Sequence, residues 1–313
     1  MKILSWNCRG LSNPRAIPNL KKLAQQHRLD IIFLSETLAN SRRLETIRVS
    51  LKFDSCLSID VEGRSGGLAV LWRNTGCCSV SNFSRNFINL DIKDENRGVW
   101  RLSCYYGFPE RNRRRLAWDM LRDIWSMSDS PWCIIDDFND LLSQEDKRGI
   151  HSHPNWLCTG FRQVVNDCDL IDIALEGYQY TWVKSRGAAH MIEERLDRAM
   201  ATPGWLELFP NASLSTLVAG HSDHSPILLS CALPQQSMFR RKFRFENSWL
   251  RKPDIDDIVH SGWLLEDNIE VEGRLSNCAE RLVMWSRDKR RNMKSDIERY
   301  RASMEMFRGG NDE

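Results

Sequence analysis

Short apolar runs recur along the chain up to residue 231, at positions 3–6, 31–34, 68–72, 99–106, 132–135 and 227–231. Their length and their β-branched and aromatic content fit β-strands. Segments of helical periodicity separate some of them. Over 17–26, Ile17, Leu20, Leu23 and Ala24 fall on one face, and Pro18 stands early, as in a first helical turn. The segment 113–125 sets Leu116, Met120, Leu121 and Ile124 on one side, and 156–168 predicts a third helix. Strands outnumber long helices. The pattern therefore predicts an α/β fold of two packed sheets flanked by helices, rather than one Rossmann-like sheet.

The pattern changes near residue 233. Pro234-Gln235-Gln236-Ser237 reads as a linker, dividing the chain into 1–233 and 234–313. Beyond it, Arg240, Arg241, Lys242 and Arg244 interleave with Phe243 and Phe245. Such a stretch suits nucleic acid through phosphate pairing and stacking, and equally suits a solvated linker whose rings pack on the domain. From 272 to 307 the chain is charged and helix-prone, with Leu275, Leu282 and Trp285 as its apolar thread.

Composition narrows the classes. Against 42 Asp plus Glu stand 44 Lys plus Arg, a net charge of +2, which excludes an arm held to DNA by bulk charge alone. With 42% hydrophobic and 27% charged residues in 313, the chain is globular and too apolar for disorder. No apolar run approaches the roughly 18 residues that span a bilayer. The N-terminus turns polar by Asn7, unlike a secretory signal. A nuclear or cytoplasmic protein, not secreted and without a membrane partner, is expected. The ten cysteines include no Cys-x-x-Cys pair, so Cys8, Cys104, Cys133 and Cys231 read as reduced core thiols.

Chemistry gathers where the apolar runs stop. Asn7 follows the first, Glu36 the second, and Tyr106 ends the run into Gly107. Asp137 and Asn139 follow the run at 132–135, and Asp223 and His224 precede the last. Alternation in Asp137-Phe138-Asn139 puts both polar groups on one side. Singly, Asn7 reads as a turn residue, Glu36 as a loop cap, Tyr106 as a core ring and Ser222-Asp223-His224 as a surface turn. Together, at strand ends that a rigid scaffold can bring into one cleft, they suit a hard cation, Mg²⁺ or Mn²⁺, and phosphate chemistry.

In chain order, Trp6-Asn7-Cys8-Arg9-Gly10-Leu11, Ser35-Glu36-Thr37, Tyr106-Gly107 and Asp137-Phe138-Asn139 resemble the endonuclease/exonuclease/phosphatase superfamily. Glu194-Arg195-Leu196-Asp197-Arg198 and Ser222-Asp223-His224-Ser225-Pro226 complete the set. More narrowly, the set is similar to the apurinic/apyrimidinic-type endonuclease domain of plant LINE-type (non-LTR) retrotransposons. Residues 240–249 resemble the stretch that joins that endonuclease to reverse transcriptase. The resemblance covers nearly the whole chain, most strongly 1–233.

What the resemblance implies is a four-layer α/β/β/α sandwich of two mixed β-sheets with a C-terminal helical extension. The implied activity is Mg²⁺-dependent (or Mn²⁺-dependent) nicking of DNA to leave 3′-hydroxyl and 5′-phosphate ends. Glu36 would bind the metal, with Asn7 beside it and Asp223 approaching it. Asp137 would position or deprotonate the attacking water, and Asn139 would donate to phosphoryl oxygens. His224, oriented by Asp197, would hold the scissile phosphate; Tyr106 would touch it, with Tyr105 one step away in register. Trp182, after Thr181, resembles a cleft-lining element and reads equally as core. Arg240, Arg241, Lys242 and Arg244 would contact DNA. An intact element would continue into a reverse transcriptase, which this sequence does not contain, so a fragment or relic is expected.

One departure stands out: Asp136 occupies a position where the family carries Gly. If that backbone needs φ > 0, a side chain costs about 1–3 kcal/mol. A second carboxylate also disfavours ionisation of Asp137. Either Asp136 weakens activity in these ways, or it faces away from the cleft. Two other readings stand beside the endonuclease: a catalytically impaired relic that only binds nucleic acid, and a phosphatase of the same superfamily.

Overall fold

The runs at 31–35, 68–72 and 132–137, apolar except for Ser35, Asp136 and Asp137, form strands buried along their whole length. The computed structural model describes residues 1–13, 15–60, 66–185, 190–218, 222–231, 247–264 and scattered positions from 271 to 300. The chain opens with β1 (Lys2–Asn7), α1 (Ala16–His27), β2 (Ile31–Ser35), α2 (Ser41–Leu51), β3 (Ser55–Ile59) and β4 (Leu68–Trp72). Then come β5 (Cys78–Phe83), β6 (Phe87–Asp94), β7 (Gly98–Tyr106), α3 (Arg114–Ser126), β8 (Trp132–Asp137), β9 (Lys147–Arg148) and α4 (Asn155–Asp167). Short pieces follow: β10 (Ile171–Asp172), β11 (Leu175–Glu176), β12 (Trp182–Lys184), β13 (Ile192–Glu194). The first compact unit, Met1–Gln235, ends with β14 (Asp197–Ala201), α5 (Pro203–Leu208), β15 (Ser213–Thr216) and β16 (Ile227–Ser230).

Two mixed sheets face each other. The 7-stranded sheet has the order β11-β15-β16-β1-β2-β4-β3, and the 6-stranded sheet has β10-β14-β8-β7-β6-β5. Parallel pairs lie at β1–β2 and β7–β8. A small third sheet joins β12, β13 and β9. Ile3, Phe33, Val70, Leu102, Ile135 and Leu229 fill the space between the large sheets. On the outer face of the first sheet, Leu4, Trp6 and Ile32 pack with Leu20, Leu23, Leu44 and Ile47 of α1 and α2. On the outer face of the second, Tyr105, Ile134 and Met200 pack with Trp118, Leu121, Phe161 and Val164 of α3 and α4. The result is the four-layer α/β/β/α order.

Some local expectations change. Leu116 is 56% exposed, whereas Leu121 and Ile124 are buried as expected and share the inner face of α3 with Arg114, Ala117 and Trp118. The cause is Asp140, which pairs with Arg114 at 3.4 Å and accepts from Trp118 Nε1 at 2.9 Å, drawing that face inward. All ten cysteines are free, Cys8, Cys104, Cys133 and Cys231 among the buried ones. Among the described residues no helix is long and apolar enough to cross a membrane.

The second unit, Gln236–Glu313, holds α6 (Ile255–Trp263). Trp249, Ile255 and Leu282 cluster there, with Trp249 edge-on to Trp285 at 5.6 Å. Leu275, expected in the apolar thread, is 57% exposed. Arg240, Arg241, Lys242 and Arg244 lie outside the described residues.

Candidate active site

Strand direction decides which ends meet. Parallel pairing sets Asn7 opposite Ser35, next to Glu36, and Tyr106 opposite Asp137. Strand β14 runs antiparallel to β8, so its starting residue Asp197 faces Asp137. Strand β16 runs antiparallel to β1, and His224, just ahead of it, reaches the same edge. Every one of these polar side chains thus lies at one rim of the sandwich, partly on each sheet.

Asn7 joins the two sheets. Its buried Nδ2 donates to Glu36 Oε1 at 2.9 Å and to Asp137 Oδ2 at 3.1 Å. The Tyr106 hydroxyl donates to the same Glu36 oxygen at 2.8 Å. Tyr106 therefore acts on Glu36, whereas Tyr105 points the other way and donates to the Ala117 carbonyl at 3.3 Å. Asn139 donates its backbone N–H to Asp137 Oδ1 at 2.9 Å and its amide to the Gly107 carbonyl at 3.1 Å.

His224 and Asp197 form a buried pair, Nδ1 to Oδ2 at 2.9 Å, while Nε2 faces Asp137 Oδ2 at 3.8 Å. Burial pulls the imidazolium down, but Asp197 and then Asp137 outweigh it and hold His224 up at about 9. Burial pushes Asp137 up to about 6, opposed by His224 and aided by Asp197. The Thr181 hydroxyl accepts from the N–H of Leu196 and of Asp197 at 3.0 and 2.9 Å, fixing the start of β14. Ser222 donates to the Asn7 carbonyl at 2.8 Å and accepts from the His224 N–H at 3.0 Å. In sequence Thr181 reads as the hydroxyl of the Thr181-Trp182 cleft element and Ser222 as part of the Ser222-Asp223-His224 motif, with no bonding role assigned to either.

Arg9 is the unforeseen member. Its Nε lies 3.0 Å from Asp223 Oδ1 and 3.4 Å from Glu36 Oε2. Half-buried Trp182 donates Nε1 to Asp223 Oδ2 at 2.9 Å, and its ring sits 6.4 Å from the His224 ring. One guanidinium touches both carboxylates, so Glu36 and Asp223 flank the same positive charge. Their oxygens, without a thiolate, suit a hard divalent ion. The neighbouring Cys8 Sγ leans on the Ser35 carbonyl at 3.4 Å and is pushed by burial to about 12, so it stays a neutral thiol. Asp137, Asp197 and His224 also converge, within 4.8 Å of one another, and form an acidic cluster able to hold a cation. There the protonated imidazole is already the positive partner.

Asp136 does not face away from this region. It is fully buried, its φ is 122°, and both carboxyl oxygens are engaged by hydroxyls across the sheet interface.

Mixed sheets packed face to face, with carboxylates and a His–Asp pair at one rim, fit the nuclease/phosphatase class of hydrolases that the family match defines. Residues 4–224 match the Endonuclease/Exonuclease/phosphatase family, and the chain belongs to it. The structure resembles the 3′ phosphatase NExo from Neisseria bound to product DNA hairpin, with 18% identity and a TM-score of 0.57, covering 74% of this chain and 100% of that one. It resembles the endonuclease domain of TRAS1, a telomere-specific non-LTR retrotransposon, at 15% identity and a TM-score of 0.56, covering 75% and 99%. An AP endonuclease from Archaeoglobus fulgidus aligns at 14% identity and a TM-score of 0.57, covering 74% and 98%. At such identities the likeness concerns the fold. The search of curated proteins found no match.

Proposed function

We propose that this chain is a divalent-metal-dependent DNA endonuclease of LINE-retrotransposon type, nicking one strand to leave 3′-hydroxyl and 5′-phosphate ends. The observation that carries this reading is the buried His224–Asp197 pair facing Asp137 at 3.8 Å, beside Glu36. Support comes also from NExo, seen with a product DNA hairpin, and from the retrotransposon endonuclease.

Glu36 and Asp223 would hold Mg²⁺ or Mn²⁺, with Asn7 and Tyr106 orienting the Glu36 carboxylate. Bound there, the ion would neutralise charge developing on the phosphoryl oxygens. Arg9, 46% exposed, has room to swing outward and pair with a flanking phosphate. Asp137, ionised at neutral pH, takes a proton from the attacking water. His224 remains imidazolium and donates from Nε2 to a phosphoryl oxygen, and Asn139 offers its amide to another. Water enters opposite the 3′-oxygen, that bond breaks, the departing oxygen takes a proton from solvent to become the 3′-hydroxyl, and the phosphate stays on the 5′ side. Arg240, Arg241, Lys242 and Arg244 would lengthen the contact with DNA.

One feature favours a second reading, a relic that binds nucleic acid without cutting it: Arg9 lies between the carboxylates that the metal needs. Nicking of supercoiled plasmid separates the two. Relaxation with Mg²⁺, none with EDTA and none by Glu36→Ala is the expected outcome. Plasmid binding with no relaxation in any condition would leave the relic standing and the endonuclease refuted.

A further inference from the structure

Asp136 takes no part in the chemistry just described, yet its backbone is held at a φ of 122°, where side chains rarely go. The effect of that conformation is to break the alternation of β8. Ile134 and Phe138 face the helices α3 and α4, whereas Cys133 and Ile135 face the other sheet. By alternation Asp136 belongs with Ile134 and Phe138. Instead its carboxyl group crosses the sheet interface. Ser5 Oγ lies 2.6 Å from Asp136 Oδ1, and Ser35 Oγ lies 2.6 Å from Oδ2. All three side chains are fully buried.

The partners are placed tellingly. Ser5 sits on β1 two residues before Asn7, Ser35 ends β2 directly before Glu36, and Asp136 directly precedes Asp137. One carboxyl group therefore ties together the strand ends that carry Asn7, Glu36 and Asp137. This matters because the site is divided: Asn7 and Glu36 stand on one sheet, Tyr106, Asp137 and Asp197 on the other. The apolar contacts of Ile3, Phe33 and Ile135 hold the sheets together, but such contacts are non-directional and resist sliding poorly. Short hydrogen bonds are directional.

We propose that Asp136, Ser5 and Ser35 form an inter-sheet pin that fixes the offset between the two sheets and so positions Asp137 against Asn7 and Glu36. The catalytic side of this inference rests on the proposed endonuclease function; the pin itself does not. Burial, with Asp197 and Asp137 nearby, raises the Asp136 pKa well above the ordinary carboxylate range. An amide both accepts and donates, and a serine hydroxyl can do either. Asp136→Asn can thus make both bonds and tolerates a positive φ. Asp136→Gly tolerates the backbone better but makes neither bond.

The test uses the full chain as wild type, Asp136→Asn, Asp136→Gly, the pair Ser5→Ala with Ser35→Ala, and the triple variant with Gly at 136. Urea unfolding without metal or substrate reads the pin: the losses from the Gly variant and from the serine pair should be strongly non-additive. Plasmid nicking reads the positioning: the Gly variant and the serine pair should lose roughly 10–100-fold in kcat with KM within about 2-fold, and the Asn variant should stay within about 3-fold of wild type. Additive stability losses, a Gly variant as fast as wild type, or an Asn variant as slow as the Gly variant would each overturn the proposal. A wild-type chain that does not nick would refute the endonuclease reading, and the urea cycle would still decide the pin.

Discussion

His224 shows how one side chain is set by competing forces. Burial disfavours its charge, and two buried carboxylates restore it, leaving the folded-state pKa near 9 against an ordinary 6.5. Because the folded value lies above the unfolded one, the stabilisation is complete below about pH 6.5 and is lost as the pH rises through 9. In metal-free buffer, urea titrations should show unfolding free energy declining across that window, and Asp197→Asn should flatten the decline. In the nicking assay, His224→Ala should lose about 10²–10³-fold or more in rate while circular dichroism stays unchanged. Wild-type turnover by that variant would remove the imidazole from the reaction. At this scale much was legible, because Asn7, Glu36, Asp137 and His224 interrupt apolar runs at their ends. The role of Arg9 was not, nor were the bonds that Thr181 and Ser222 make, since these depend on loops folding back over the rim. Ser5 and Ser35 carried a quieter signal: a polar residue at an inward position of a buried strand needs a partner inside.

Among the elements, strands with unbroken apolar sequence announce themselves, and those shaped by their neighbours do not. The β14 sequence Asp-Arg-Ala-Met-Ala favours a helix by composition, yet pairing with β8 and β10 and burial along its length make it a strand. The α2 sequence Ser41–Leu51 is mostly polar, and only Leu44, Ile47 and Leu51 mark its inner face. In α3 only Leu116 leaves the expected stripe, and an arginine, Arg114, is buried there beside Asp140. The connection after β7 depends on close approach: a Cβ at Gly107 would lie 2.3 Å from the Phe138 carbonyl oxygen. Gly107→Ala should destabilise the protein by about 1–3 kcal/mol in urea unfolding, through backbone displacement next to Asp137. An unchanged midpoint would mean that the two loops yield more easily than their packing implies.

For the molecule as a whole, the division near residue 235 separates a unit that contains every described site residue from one that contains none of them. Residues 1–235 expressed alone should unfold cooperatively and nick plasmid with Mg²⁺; failure of the fragment to fold, while the full chain does, would tie the rim to the second unit. The layered order of the first unit was legible from the count of short runs and amphipathic segments. The way the rim is divided between the sheets was not, because that follows from strand direction.

The unpaired thiols have a practical consequence. Cys8, Cys104, Cys133 and Cys231 are shielded within the layers, while Cys56 and Cys77 are partly accessible. A maleimide should modify Cys77 first, Cys56 more slowly because burial pushes its thiol up to about 11, and the shielded sulfurs only when the sandwich opens. The slow phase of alkylation then becomes a clock for native-state breathing, readable by mass spectrometry without any introduced probe.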